Sequence, residues 1–390
     1  MREQINTFLA QFDLDIRKSK DARFVDQKCT PDIVCFMAEC VLNMVATKPS
    51  FVINDIWETQ YFIQNSRVVF TKPWANDKKA YNEYNKVLSQ PLKLLAYARI
   101  LNVQKVSRSL TFSLNNEVLL DYISSKDRNA FNFLYCYFTK ILKDSGFLKN
   151  LEDYEKNYPK GLNNARATLY DKYYRFIKGN TPTQSRKDIQ RMFHKILNVY
   201  AHEHNIPGSK GKFARTYSEI MYNNKNWRDV DKDKLVTRRE AESEEDKEKS
   251  AVLNDYYVRK AIALIRKIHK ESEVKDKWGV GEATQVHHIF SRAEFPALAH
   301  YVENLILLTA TQHNTKAHPS NKTQQINKDY QLTCLLAKSE SIEKSLERNE
   351  FYYRKESFIL IINKGLSENL DYNLDFNSIK KELREIYNKA

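Results

Sequence analysis

Thr284-Gln285-Val286-His287-His288-Ile289-Phe290 is followed, after a polar connection, by Asn304-Leu305-Ile306-Leu307-Leu308-Thr309. Then come Ala310-Thr311-Gln312-His313-Asn314-Thr315-Lys316-Ala317-His318-Pro319. Five of the chain's nine histidines lie between positions 287 and 318. The two apolar pieces have strand length, and the connection between them is long for a simple turn. Thr309 and Gln312 have the spacing of a capping box, which places a helix start directly behind the second strand. Pro319 and the Ser320-Asn321 that follow limit how far this helix continues. The predicted local order is strand, loop, strand, helix.

That layout suits phosphodiester hydrolysis, which needs a base to activate water and a cation to stabilise charge on the phosphate and the departing oxygen. Neighbouring strand residues point to opposite faces, so two adjacent histidines serve one site only where a strand bends or ends. His287 and His288 precede a loop and meet that condition. One can bind a metal while the other takes a proton from water, a task suited to a side chain that titrates near neutral pH. A helix packed behind the strands can bring His313 to the same metal. The absence of cysteine from this set argues against a structural zinc.

From Gln285 to Pro319, 35 residues, the segment resembles the HNH (ββα-metal) nucleases. The resemblance implies that His287 is the first metal ligand and His288 the general base. It makes Asn304 the middle Asn that orients the base or its loop, and His313 the helix histidine that binds metal. Asn314 and His318 fit the further Asn and His found in many members, but His318 follows His313 by five residues where the colicin-type nucleases use four. On a helix of 3.6 residues per turn His313 shares a face with Ala317, and Asn314 with His318. Either His313 is the ligand with His318 behind it, or Asn314 holds the metal as in the nuclease domain of RNA-guided enzymes; His313 is the preferred reading. One divalent ion per active site is implied, magnesium on the family pattern, with manganese or nickel also suited to imidazole ligands. Arg292 and Lys316 flank the site and could touch phosphates, although solvated charges would look the same.

The rest of the chain fits a nucleic-acid enzyme. A formal net charge of +14 over 390 residues favours a polyanionic partner, because each Lys or Arg that neutralises a phosphate also releases a counterion. Eight glycines and nine prolines point to a helix-rich architecture with few tight turns. The five cysteines show no C-x-x-C spacing and read as reduced thiols of a cytoplasmic protein. No apolar run approaches the roughly 20 residues that span a bilayer, and the N-terminal residues lack the apolar core of a signal peptide.

Ahead of the histidines, Pro31 to Ala46 carries apolar residues at helical spacing, with Pro31 in the first turn. Further helices are expected near Asn54 to Asn65 and over Ala80 to Ser89. Leu110 to Leu114 then alternates as a strand beyond the polar break Ser107-Arg108-Ser109. Three helices followed by a hairpin outline a winged helix. Pro31-Asp32 and Glu39 imitate the acidic core of the other common restriction-nuclease fold, but Cys40 stands where a lysine is needed and the segment reads as helix. Residues 127 to 228 mix aromatics with bases. They include the basic turn Asn205 to Lys212, whose Lys210 and Lys212 could hold phosphates, and the Asn226-Trp227-Arg228 run. His194, His202 and His204 have no partner set for a metal, and His300 is assigned no role.

The fold expected is therefore α+β and mostly helical. A winged-helix-like DNA-recognition domain covers 1–126, a second helical, basic recognition region 127–228, and a charged linker 229–250. An HNH nuclease domain with a C-terminal helical extension covers 251–390. A detached nuclease module behind a large recognition region resembles the type II restriction endonucleases, in particular those that cut at a distance from an asymmetric site. This implies double-stranded DNA as substrate and a homodimer, transient or stable, for cutting both strands. The alternatives are a non-catalytic winged-helix regulator and a homing or phage HNH nuclease.

Overall fold

The computed structural model describes residues 1–70, 81–107, 109–213, 220–222, 244–318 and 327–389, with the backbone alone for 244–252 and 389. Arg108, Asn226, Trp227, Arg228, Pro319 and the charged stretch from 229 to 243 lie outside the described residues. Helix accounts for 65% and strand for 8%, so the chain is α+β and mostly helical, with small sheets. It divides into two compact units, Met1–Ala241 and Glu242–Ala390.

The first unit begins with α1 (Arg2–Ala10), α2 (Ile16–Ser19) and α3 (Pro31–Val45). Every residue of α3 from Pro31 to Ala38 is buried, which suits a helix that is apolar nearly all round. After it come β1 (Ser50–Val52), α4 (Ile53–Trp57), α5 (Gln60–Phe70), α6 (Tyr81–Tyr97), β2 (Leu101–Val106) and β3 (Ser109–Leu114). The single helix expected near 54 to 65 is two, because the Thr59 hydroxyl accepts from the Phe62 N–H at 3.1 Å and starts a new helix there. The helix expected over 80 to 89 runs on to Tyr97 through Pro91. Burial of Pro91, Leu92, Leu94 and Leu95 outweighs the hydrogen bond that proline removes. The strands form an antiparallel sheet in the order β1-β3-β2, with Phe51 opposite Phe112 and their rings stacked at 6.0 Å.

Five further α-helices follow among the described residues of this unit: α7 (Glu117–Ser125), α8 (Asp127–Asp144), α9 (Leu148–Asn157), α10 (Leu162–Asn180) and α11 (Arg186–His204). The boundary expected at 126 falls inside it, since α8 packs on both α1 and α3. All five cysteines of the chain are buried as free thiols, and burial pushes Cys29 up to about 12. The basic turn after α11 is tied down. Tyr154 donates to the Pro207 carbonyl at 2.6 Å, and the Ser209 N–H donates to the Asn198 side chain at 2.9 Å. Ile206 to Ser209 are buried, while Lys210 and Lys212 at the tip are exposed.

The second unit contains α12 (Glu244–Ile268), β4 (Ala283–His288), β5 (Leu305–Thr309), α13 (Lys328–Glu347), α14 (Lys355–Leu366) and α15 (Phe376–Lys389). The last part of the expected linker is thus the start of α12. β4 and β5 pair antiparallel, with a bulge between Ala283 and Gln285. All of β5 is buried, as a continuous apolar run predicts, and it joins Ile265, Leu335, Ile342, Phe358 and Ile362 in one core. Beside β5, Glu273 is bonded twice to the Leu307 backbone: the Glu273 N–H donates to the Leu307 carbonyl, and the Leu307 N–H donates to the Glu273 side chain at Oε1, 2.9 Å away. The Glu273 carboxylate also meets Lys338 Nζ at 2.7 Å, both side chains having 1% exposure or less. Tyr353 links this pair to His269, its hydroxyl lying 3.1 Å from Lys338 Nζ and 2.6 Å from His269 Nε2. Removing one partner of such a pair leaves a buried charge.

Two substitutions test this packing. Gly365 on α14 lies against the Phe290 ring, where a Cβ would overlap it; Gly365→Ala is expected to cost about 1–3 kcal/mol in urea unfolding, and an unchanged midpoint would contradict the contact. Lys338→Ala, which leaves the buried Glu273 carboxylate with only the Leu307 N–H and His269 beside it, is expected to cost about 3–5 kcal/mol, and a loss below about 1 kcal/mol would show that these two suffice to hold the charge.

Candidate metal centre

Three of the histidines singled out in the sequence converge. His287 near the end of β4, His313 and His318 place their ligand atoms within 4.8 Å of one another, a group that could hold a metal ion. Ring centroids lie 5.4 Å apart for His287 and His313, 4.8 Å for His287 and His318, and 4.7 Å for His313 and His318. His287 and His318 are buried, and His313 is partly exposed, so the group opens to solvent on one side. Metal–imidazole bonds of about 2.0–2.1 Å require the rings to close by roughly 1 Å, within reach of side-chain rotation.

The winding of the helix explains how His313 and His318 come together. At 3.6 residues per turn, five residues would set them about 140° apart, which was the ground for choosing between His313 and Asn314. Residues Gln312–Ala317 instead form a π-helix, and the His318 N–H donates to the His313 carbonyl at 3.1 Å, an i to i+5 bond. Five residues then make close to one turn, and His318, leaving in an extended conformation, falls beside His313. Asn314 is exposed and sits next to the cluster: His313 Nδ1 lies 2.8 Å from its side-chain oxygen. An amide oxygen only accepts, so Nδ1 carries the proton and Nε2 is left with the lone pair that a cation needs.

Gln312 fixes the start of this helix. Its side-chain oxygen accepts from Ser272 Oγ at 2.6 Å and from the Thr309 N–H at 3.0 Å. Its amide nitrogen donates to the Val274 carbonyl and to Asp276, both at 2.9 Å. The Gln312 N–H donates back to Thr309 Oγ1 at 3.2 Å, which closes the reciprocal cap that the sequence spacing predicts.

His288, next to His287 on the strand, makes a different contact. Its Nε2 lies 3.1 Å from the Ala299 carbonyl, which can only accept, so Nε2 is the donor and Nδ1 the free acceptor. Burial lowers the His288 pKa against the opposing pull of the Ala299 bond, and nearby Arg292 lowers it further. Burial first, and then the neighbouring histidines, hold His287 well below its ordinary range. Neutral imidazoles are the form that ligates a metal.

Asn304 is fully buried in the turn Val302–Asn304 just before β5. Its side chain accepts from the Phe290 N–H at 2.9 Å and donates to the carbonyls of Phe290 at 3.0 Å and Leu298 at 3.2 Å. It therefore ties together both ends of the loop that carries the Ala299 carbonyl. Arg292 is paired with Asp255 on α12, and Lys316 Nζ stands 4.2 Å from the Trp278 ring centroid. Lys210 and Lys212 belong to the other unit. Sequence reading missed Ser272, Asp276 and the Glu273–Lys338 pair, which carry no local motif.

No family model, curated protein or solved structure matches the chain.

The histidine group should report on metals directly. Saturating nickel or zinc at about 100 times its dissociation constant should stabilise the protein by about 2.7 kcal/mol in thermal melting. His318→Ala should lose that response; an equal response would place the ion elsewhere.

Proposed function

We propose that this chain is a metal-dependent nuclease of the HNH (ββα-metal) class. The observation that carries the reading is one arrangement. An antiparallel strand pair and the helix behind it bring His287, His313 and His318 together, while Asn304 pins the loop between the strands and His288 is held by a carbonyl of that loop. Within that class we read it as a type II restriction endonuclease that hydrolyses double-stranded DNA. The large basic first unit would serve recognition, and a homodimer would cut both strands.

In this reading His288 is the general base. Its Nε2–H bond to Ala299 fixes the tautomer, so Nδ1 is the atom that takes the proton of the attacking water. Asn304 is a positioning residue: by holding Phe290 and Leu298 it sets the carbonyl that aims the base. His287, His313 and His318 would hold one divalent ion, which when bound supplies charge stabilisation for the phosphate and the departing oxygen. Three imidazoles without a carboxylate favour nickel, zinc or manganese over magnesium, which prefers oxygen ligands. Two further observations support DNA as the partner: the +14 net charge, and the strand order of the first unit, where helices between β1 and the β2-β3 hairpin follow a winged-helix-like course. Only Tyr81 and Asn82 of α6 are exposed, so the hairpin and the Lys210–Lys212 turn are the better candidates for touching the duplex.

Incubating plasmid DNA with the protein and each of magnesium, manganese, nickel and zinc tests the proposal. Cleavage is expected with at least one metal. His288→Ala should lower it by about a hundredfold or more while retarding DNA as well as the wild type does. A variant that cuts normally would remove His288 as the base. Retardation without cutting under every metal would leave the regulator reading instead.

A further inference from the structure

Directly before β4 runs Asp276-Lys277-Trp278-Gly279-Val280-Gly281-Glu282, a loop that the proposed chemistry does not use. Its base is firmly tied. Asp276 accepts from the Trp278 N–H and from Gln312, each at 2.9 Å, and from the Tyr330 hydroxyl at 2.9 Å. Thr309 Oγ1 donates to the Trp278 carbonyl at 3.1 Å, and Gly281 turns the chain with a φ of 91° that strains any side chain. The tip has the opposite character. Trp278 is 36% exposed and Val280 75%, and among the described residues of this unit only Tyr372 joins them as a large exposed apolar side chain.

The indole is also flanked by charge. Lys277 Nζ lies 5.2 Å from its centroid and Lys316 Nζ 4.2 Å. Lys316 is three residues beyond His313 on the π-helix, and Gln312, the residue before His313, is bonded to Asp276 at the base of the loop. An exposed aromatic plane bracketed by two ammonium groups is thus held rigidly beside the histidine cluster. That combination matches a polynucleotide, which offers ring faces for stacking and phosphates at regular spacing. A lipid surface would need a broader apolar face than this two-residue tip.

We propose that Trp278 is a nucleic-acid contact of the cleavage unit. Its indole stacks on a base of the strand next to the cut, while Lys277 and Lys316, which lie over the ring in the free protein, move off it onto adjacent phosphates. The inference rests on the nuclease reading, but binding can be measured apart from cutting. In the presence of EDTA, a short labelled DNA duplex and the matching single strand are titrated into the full chain. Trp278→Ala should weaken binding roughly tenfold and Trp278→Phe by less than about threefold, since either ring can stack. Lys316→Gln should lower the slope of log affinity against log salt by about one. DNA should also quench tryptophan emission less in Trp278→Phe than in the wild type.

Equal affinity of Trp278→Ala and wild type would overturn the proposal, even if the wild type cuts DNA. A Trp278→Ala loss seen on phosphatidylserine vesicles but not on DNA would overturn it as well. A wild type that binds neither DNA probe defeats both this contact and the nuclease reading. Weakened DNA binding by Trp278→Ala in a protein that never cuts would support the contact while removing the nuclease.

Discussion

A buried side-chain amide must satisfy all of its hydrogen-bonding groups, and at Gln312 that requirement organises the candidate site. Its oxygen is shared by Ser272 and Thr309, and its nitrogen by Val274 and Asp276. The loop before β4, the end of β5 and the first turn of the helix are therefore locked at one point. His313 is the next residue in the chain, and the π winding that follows delivers His318 beside it. Without that anchor the helix would have no fixed start, and a cluster of three imidazoles depends on where the helix starts.

The strand supplies the second constraint. At the end of β4, His287 meets His313 and His318, and His288 meets the Ala299 carbonyl. Two adjacent residues of one type thereby acquire different environments. One is surrounded by other imidazoles, and the other has its tautomer set by a backbone oxygen. Asn304 holds the second environment through the loop ends it ties together, while Gln312 holds the first.

Much of this was legible in the sequence because it is encoded locally. The apolar run of β5, the Thr309 and Gln312 spacing and the histidine pair before a loop each follow from neighbours in the chain. The winding of the helix was not legible: a pattern read at 3.6 residues per turn separates His313 from His318, and nothing in Gln312 to Ala317 announces i to i+5 bonding. In the first unit the helix of 31 to 45 and the hairpin strand were readable from spacing. The restraint on the Asn205 to Lys212 turn was not legible, since it comes from Tyr154 and Asn198 on separate helices. The helix break at Thr59 was overlooked because a threonine cap weighs little against a continuing apolar pattern.

The ion pair between Glu273 and Lys338 bears on how separable the histidine segment is from its surroundings. Glu273 pairs with the backbone of β5, whereas Lys338 lies in the middle of α13, after the π-helix has ended. A peptide running from Glu273 to His318 would carry the acid without its base, at a place that is buried in the folded chain. The histidine segment is therefore not a portable cassette. A graft of this segment into a foreign scaffold would have to bring a cation for Glu273 or replace that acid with an apolar residue.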